Sequence, residues 1–250
     1  MTPDECRWSA VTVPRWSVVI PAFNEAHRLP RYLDEVVSYF EGRGEAYEVI
    51  VVDDGSTDDT AACVERVARV RPTVRALRLG RNEGKGAAVR LGMLAAAGAW
   101  RLFADADGAT PISELKRLEH ALASGADIAI GSRVLAHPGV SVVAQPHRVA
   151  AGRLFNWFVA RLGLRAIADS QCGFKAFTAA AAESLFARLR TTGFGFDVEL
   201  LLLAQARGYR VAEVPVNWTD QAGSKVGVLR TGPVMFWEIL MARRRVGKPV

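Results

Sequence analysis

The stretch "YEVIVVDDGSTDDT", residues 47 to 60, runs from four consecutive apolar residues, Val49 to Val52, straight into two aspartates, a glycine and a cluster of short polar residues. Val and Ile pack well on a pleated surface, so the run reads as a strand over 47–52. Its unbroken apolarity predicts a strand covered on both faces rather than one facing water. The polar cluster ends the strand and opens a helix expected from about Asp59 to Val70, because Asp, Ser and Thr supply acceptors for the first N–H groups of a helix. Capping is the expected role of Ser56, Thr57 and Asp58.

The same alternation recurs on either side. "WSVVIP" (16–21) is a second strand, followed by helical spacing from Leu29 through Leu33, Val36, Val37 and Phe40. Further strands are expected at 74–79, 102–104 and 128–130, with an Ala-rich helix near 84–97 and another near 112–123. Strands separated by helices pair in parallel. The first 131 residues therefore predict an α/β fold with an open, mostly parallel sheet flanked by helices. In such sheets ligands bind at the carboxyl ends of the strands.

That edge collects the polar residues. Asn24 and Glu25, Asp53 and Asp54, and Asp105 and Asp107 each follow a strand. Helix capping explains Asp105 and Asp107 least well, since Pro111 separates them from the next helix. Two adjacent carboxylates repel and lose solvation. An oxygen-only pair without His or Cys suits Mg²⁺ or Mn²⁺ bridging to phosphate oxygens.

Composition sets the limits. Half of the 250 residues are hydrophobic and 23% are charged, which is ordinary for a globular protein. The net charge of +6 points to an anionic partner: nucleic acid, an anionic bilayer or a phosphorylated substrate. No aromatic-basic RNA motif or helix-turn-helix pattern supports nucleic acid. Three cysteines without CxxC spacing argue against a zinc site or disulfide frame, and Cys172 reads as structural. The four histidines lack metal-ligand spacing. No signal peptide is expected, and no apolar run reaches the roughly 18 residues that span a bilayer. "RLFNWFVARLGL" (153–164) and "PVMFWEILMARRRVG" (233–247) set aromatic residues beside arginines. Either packs on the core or lies in the interface of an anionic membrane.

"SVVIPAFNE", "VIVVDDGSTD", "RNEGKGAAV", "ADADGAT" and "IAIGSR", in this order, resemble the nucleotide-sugar-binding half of a family 2 glycosyltransferase with the GT-A fold. "DSQCGFKAF" (169–177), "GFGFDVELL" (193–201) and "EVPVNWTDQAGSKV" (213–226) resemble the dolichyl-phosphate beta-glucosyltransferase branch of the polyprenyl-phosphate sugar synthases. The resemblance implies one GT-A domain over 1–250, with a nucleotide-sugar half at about 16–131 and an acceptor half at about 132–230. The remaining 231–250 read as an amphipathic basic tail.

It further implies that Pro21, Glu25, Val52 and Asp54 hold the base and ribose, with Asn24 and Asp53 beside them. Asp105 and Asp107 would serve the pyrophosphate metal, with Ala106 next to the nucleotide. "GKG" (84–86) lacks P-loop spacing and reads as a helix start that brings Lys85 to the donor. Arg133 would face phosphates, Asp107 and Arg133 being the catalytic pair. Arg148, Arg153, Gln171, Lys175 and Lys225 would meet the acceptor. "WTDQ" ahead of "GSK" favours glucose over mannose. The implied reaction is inverting transfer from UDP-glucose to a polyprenyl or dolichyl phosphate by a peripheral enzyme at the cytoplasmic face of a membrane. GDP-mannose as donor and a hydroxyl acceptor are the alternatives. A lipid monophosphate is largely dianionic at neutral pH and needs no general base. A hydroxyl does, and the candidates are Asp197 and Glu199, unless these are only the acidic first turn of a helix.

Overall fold

The computed structural model describes residues 13–164, 167–221 and 228–247. In chain order these form β1 (Trp16–Ala22), α1 (Leu29–Arg43), β2 (Tyr47–Asp53), α2 (Thr60–Val70), β3 (Val74–Arg78), α3 (Lys85–Ala95), β4 (Trp100–Ala104), α4 (Leu115–Ala123) and β5 (Ile128–Ser132). A 3₁₀ turn at Ile112–Glu114 leads into α4. There follow β6 (Val142–Val143), α5 (Pro146–Arg161), β7 (Phe174–Thr178), α6 (Ala179–Phe186), α7 (Phe196–Ala206), β8 (Val211–Pro215), β9 (Trp218–Thr219) and α8 (Val228–Val246).

Every strand and helix expected before residue 131 is present, with ends shifted by a few residues. Helix α1 shows why the apolar spacing could be read. Leu29, Tyr32, Leu33, Val36, Val37 and Phe40 form its buried stripe, Pro30 starts it, and Gly44 at φ 65° ends it in the left-handed conformation that glycine adopts without strain. The seven-stranded sheet has the order β3-β2-β1-β4-β7-β5-β8. Strand β1 pairs in parallel with β2 and β4, and β2 with β3. The expectation of parallel pairing fails at one place. Strand β7 enters between β4 and β5 and runs antiparallel to both. It arrives after α5, from a part of the chain where no strand was expected, and its Phe174, Ala176 and Phe177 are buried.

Both faces of the sheet are covered. Val18 and Ile20 of β1 join Leu33, Val36, Phe40 and Leu118 in one core. Val19, between them, joins Ile50, Met93, Phe103, Phe177 and Phe196 on the other side. Alternate residues of a strand point to opposite faces, so a doubly covered strand is apolar throughout. Acidic residues at the strand ends are thereby left at the rim, where the chain turns into helices. Among the described residues no helix is long and apolar enough to cross a membrane.

Candidate active site

A cleft of about 330 Å³ opens at the carboxyl ends of β1, β2 and β4. Pro21, Glu25, Asp54, Lys85, Asp105, Ala106 and Asp107 line it, as the motifs led one to expect. Phe23, Arg28, Asn82, Gly84 and Phe194 line it as well, and sequence reasoning missed them. Arg28 had a visible signal, since it stands three residues after Glu25 on what becomes the entry to α1, and residues so spaced on a helical turn can pair. Phe194 had only its place inside a glycine-flanked motif.

The first two loops after the strands brace each other. Asn24 adopts φ 53°, a region that Asn tolerates better than most residues. Its backbone N–H donates to Ser56 Oγ at 2.8 Å, and its Oδ1 accepts the Thr57 N–H at 2.8 Å. The Glu25 N–H donates to Thr60 Oγ1 at 2.7 Å. Asp58 accepts the Thr60 N–H at 3.0 Å at the start of α2. The capping expected of Ser56 and Thr57 is not what they do: their hydroxyls bond to Asn24, and the N-cap residue Asp59 makes no side-chain cap bond. Asp53 is buried, accepting the Ser56 N–H at 3.0 Å and pairing with Arg78 at 3.1 Å. It supports the turn, while its neighbour Asp54 lines the cleft. Val52 is fully buried, in register with Pro21.

Asp54 accepts the backbone N–H groups of Glu83 at 2.8 Å and Gly84 at 3.0 Å. Burial pushes its carboxyl upward, and these two donors oppose the shift. The same bonds fix the entry to α3, so that Lys85 reaches Asp105 Oδ1 at 2.6 Å. The glycines around Lys85 are required by close approach. A Cβ on Gly84 would stand 2.5 Å from the Thr192 carbonyl, and one on Gly86 equally close to that of Thr191.

The carboxylate pair therefore has fixed cations. Lys85 holds Asp105, and Arg28 lies 3.7 Å from Asp107 while forming a bidentate bond to Glu25. Burial first, then the Asp105 charge, raises the Asp107 carboxyl, opposed by the Ala109 N–H, Arg28 and Lys85. Two like charges in one recess favour an added cation. The Asp105 N–H donates to Gly173 O at 3.0 Å, and a Cβ on Gly173 would fall 1.9 Å from Asp105 Oδ2. Gly173 thus lets the segment before β7 pass directly behind the carboxylate.

The acceptor-side residues are arranged differently from the cleft lining. Arg133 grips Asp169 through two bonds of 2.7 Å and stacks over Trp218 at 5.5 Å. Burial opposes ionisation of both partners, yet their bonds hold Asp169 below and Arg133 above their ordinary ranges. Gln171 lies in the turn just after Asp169, its N–H donating to Asp169 Oδ1 at 3.3 Å. Lys175 was expected in the acceptor loop but is in β7 and fully buried. Its Nζ donates to Cys172 O at 2.7 Å and pairs with Asp197 at 2.5 Å. It can reach the site only through the residues it holds. Glu199 is also buried, accepting the Thr191 N–H at 2.6 Å. Of the two expected roles, base or acidic first turn of a helix, the structure gives both acids the second: they stand in the first turn of α7 and are bonded internally. Cys172 is buried and its thiol is pushed up to about 12, so it is inert as expected. Arg148 and Arg153 fall on α5 among residues whose side chains are not described, and Lys225 lies outside the described residues.

The model of the family described as Glycosyl transferase family 2 matches residues 17–186. The dolichyl-phosphate beta-glucosyltransferase of Homo sapiens is 40% identical over 248 residues, covering 93% of this chain and 74% of its own. That of Drosophila melanogaster is 42% identical over 84% of this chain and 68% of its own. A Trichomonas vaginalis enzyme of the same name is 40% identical, and the match covers 65% of its length. Among solved structures, glucosyl-3-phosphoglycerate synthase from Mycobacterium tuberculosis, crystallised with Mn²⁺ and UDP-glucose, superposes with a TM-score of 0.69 at 21% identity, over 94% of this chain and 80% of that one. The same protein with Mg²⁺ and UDP gives 0.68 at 20% identity, over 94% and 81%. At that identity the likeness speaks for the fold. The chain belongs to glycosyl transferase family 2 and is a glycosyltransferase.

Proposed function

We propose that this enzyme transfers glucose from UDP-glucose to a dolichyl or other polyprenyl phosphate, with inversion at the anomeric carbon. Relatives named dolichyl-phosphate beta-glucosyltransferase over most of the chain support the donor and the acceptor. The observation that carries the acceptor class is the placement of Asp197 and Glu199. Both are committed to internal bonds, which removes the two carboxylates expected from the sequence as a base for a hydroxyl acceptor. A phosphate acceptor arrives already ionised.

Pro21, Glu25, Asp54 and Ala106 would hold the nucleoside, with Asn24, Val52 and Asp53 supporting them. Asp105 and Asp107 fit Mg²⁺ or Mn²⁺, since they offer two hard oxygen donors in a recess already crowded with negative charge. When bound, such an ion neutralises charge on a departing diphosphate. Lys85 and Arg28 add fixed positive charge at the same place, and cations that are already oriented cost no reorganisation as charge develops. Arg133, held flat by Asp169, together with Gln171 and the basic Arg148, Arg153 and Lys225, would receive the acceptor phosphate. Lys175 would act only indirectly, by holding the turn at Cys172.

Trp157, Phe236 and Trp237 are exposed on α5 and α8, Phe158 stacks on Phe236 at 4.4 Å, and Arg161 lies over Trp157 at 4.9 Å. Aromatic and basic residues together suit the headgroup region of an anionic bilayer. This supports peripheral attachment to a membrane, where a lipid acceptor is within reach; the cytoplasmic face is part of the proposal.

The test is a donor panel of UDP-glucose and GDP-mannose with a short polyprenyl phosphate and Mg²⁺ or Mn²⁺. The expected product is a β-linked polyprenyl phosphate glucose from UDP-glucose. Efficient use of GDP-mannose would overturn the sugar assignment. Transfer to free polyprenol at a similar rate would overturn the acceptor class.

A further inference from the structure

The "GFG" of residues 193–195 is the part of its motif that the site has not yet explained. Phe194 lines the cleft, and the backbone on either side of it is held by a residue from the far end of the chain. Glu238 of α8 accepts the Gly193 N–H at 3.1 Å through one carboxylate oxygen and the Gly195 N–H at 2.9 Å through the other. The glycines are needed for this approach, since a Cβ on Gly193 would stand 2.2 Å from Glu238 Oε1 and one on Gly195 2.8 Å from Glu238 Cβ. Two turns later Arg245 donates to Thr191 Oγ1 at 2.8 Å. Glu238, Ile239, Ala242 and Arg245 form one side of α8, with Ile239 and Ala242 fully buried. The loop's other side abuts the start of α3, where the Ala87 N–H donates to Thr192 O at 3.2 Å.

We propose that Glu238 is a positioning residue for the donor: by clamping both N–H groups that flank Phe194, it fixes that ring as one wall of the nucleotide-sugar cleft. This rests on the reading of the cleft as the donor site. A carboxylate bonded to two backbone N–H groups at the start of a helix, here α7, is a strong and directional contact. The loop contains two glycines and would otherwise sample many conformations. Seating of α8 and the shape of the donor cleft are therefore linked through one side chain.

The experiment is a double-mutant cycle on the full chain, with UDP affinity measured by calorimetry in Mn²⁺, and hydrogen exchange of residues 191–196 followed without ligand. Glu238→Ala should weaken UDP about tenfold, equivalent to about 1.4 kcal/mol. Glu238→Gln, which offers one acceptor oxygen in place of two, should fall between Ala and wild type. In a Phe194→Ala background, Glu238→Ala should change UDP affinity less than about twofold, because coupled residues do not add. Equal losses in both backgrounds would overturn the role of Phe194. Unchanged exchange of the Gly193 and Gly195 amides in Glu238→Ala would overturn the clamp itself. If wild type fails to bind UDP while the variant still loses amide protection, the clamp stands and the donor assignment falls.

Discussion

Replacing Lys175 by Met should damage the protein through stability rather than through acceptor binding. Lys175 is exposed to neither solvent nor cleft. Its ammonium donates to Cys172 O and Asp197 and lies 5.2 Å from the Phe103 ring. Methionine fills a similar volume, so the main loss is the partner of Asp197, a carboxylate only 2% exposed. Removing one member of a buried pair leaves an uncompensated charge and costs about 3–5 kcal/mol. For a chain of this size that is a fall in Tm of about 6–20 °C. Asp197 is already pushed upward by burial, and Lys175 is the first influence opposing it. Without Lys175 the folded carboxyl rises further above its unfolded value. The folded variant then binds that proton more tightly than the unfolded chain does. Its deficit should be small near the ordinary aspartate range and grow as pH climbs through the raised value. Urea unfolding of wild type and Lys175→Met at pH 5 and pH 8 reads this directly. A Lys175→Met, Asp197→Leu double variant should recover most of the loss, because the stranded charge is gone. The reasoning fails if Lys175→Met stays within about 1 kcal/mol of wild type at pH 8, or if the deficit grows toward acid.

Asp107→Asn should abolish transfer with the Tm held within a few degrees; near-normal turnover by that variant in the presence of chelator would refute the metal assignment. Gly173→Ala puts a methyl where the Asp105 carboxylate lies, and should cut kcat at least about tenfold, checked by steady-state kinetics with the fold followed by circular dichroism. UDP should bind at least about tenfold tighter than GDP in Mn²⁺, a gap of about 1.4 kcal/mol, measured by titration of one protein sample. Arg133→Lys keeps the charge but not the two-pronged bond to Asp169, so the KM for polyprenyl phosphate should rise while UDP affinity stays the same.

The cleft was legible because its residues follow strands, and a doubly covered parallel strand announces itself as an apolar run that ends in polar residues. Val49 to Val52 before Asp53 and Asp54, and Leu102 to Ala104 before Asp105, carry that pattern without tertiary information. What stayed hidden depends on contacts between distant segments. Lys175 looks like a loop cation in "QCGFKAF", and only the pairing of β7 between β4 and β5 puts it inside against Asp197. Lys85 could be expected near the donor, but that it pairs with Asp105 from the start of α3, and that Arg28 approaches Asp107 from just before α1, could not. Asp53 and Asp54 are neighbours of one residue type, yet one braces the turn and the other faces the cleft, a division set by the local backbone.

The position of β7 also bears on how the chain can assemble during synthesis. Strands β1 to β4 can form their parallel set from local crossovers as soon as Ala104 is available. Until residues 174–178 arrive, however, β4 is a bare edge and β5 has no neighbour on that side. An uncovered apolar edge is a template for pairing with another chain, and long-range pairing of this kind is slow. A nascent or truncated chain that stops between Ser132 and Phe174 should therefore aggregate rather than accumulate as a smaller folded unit.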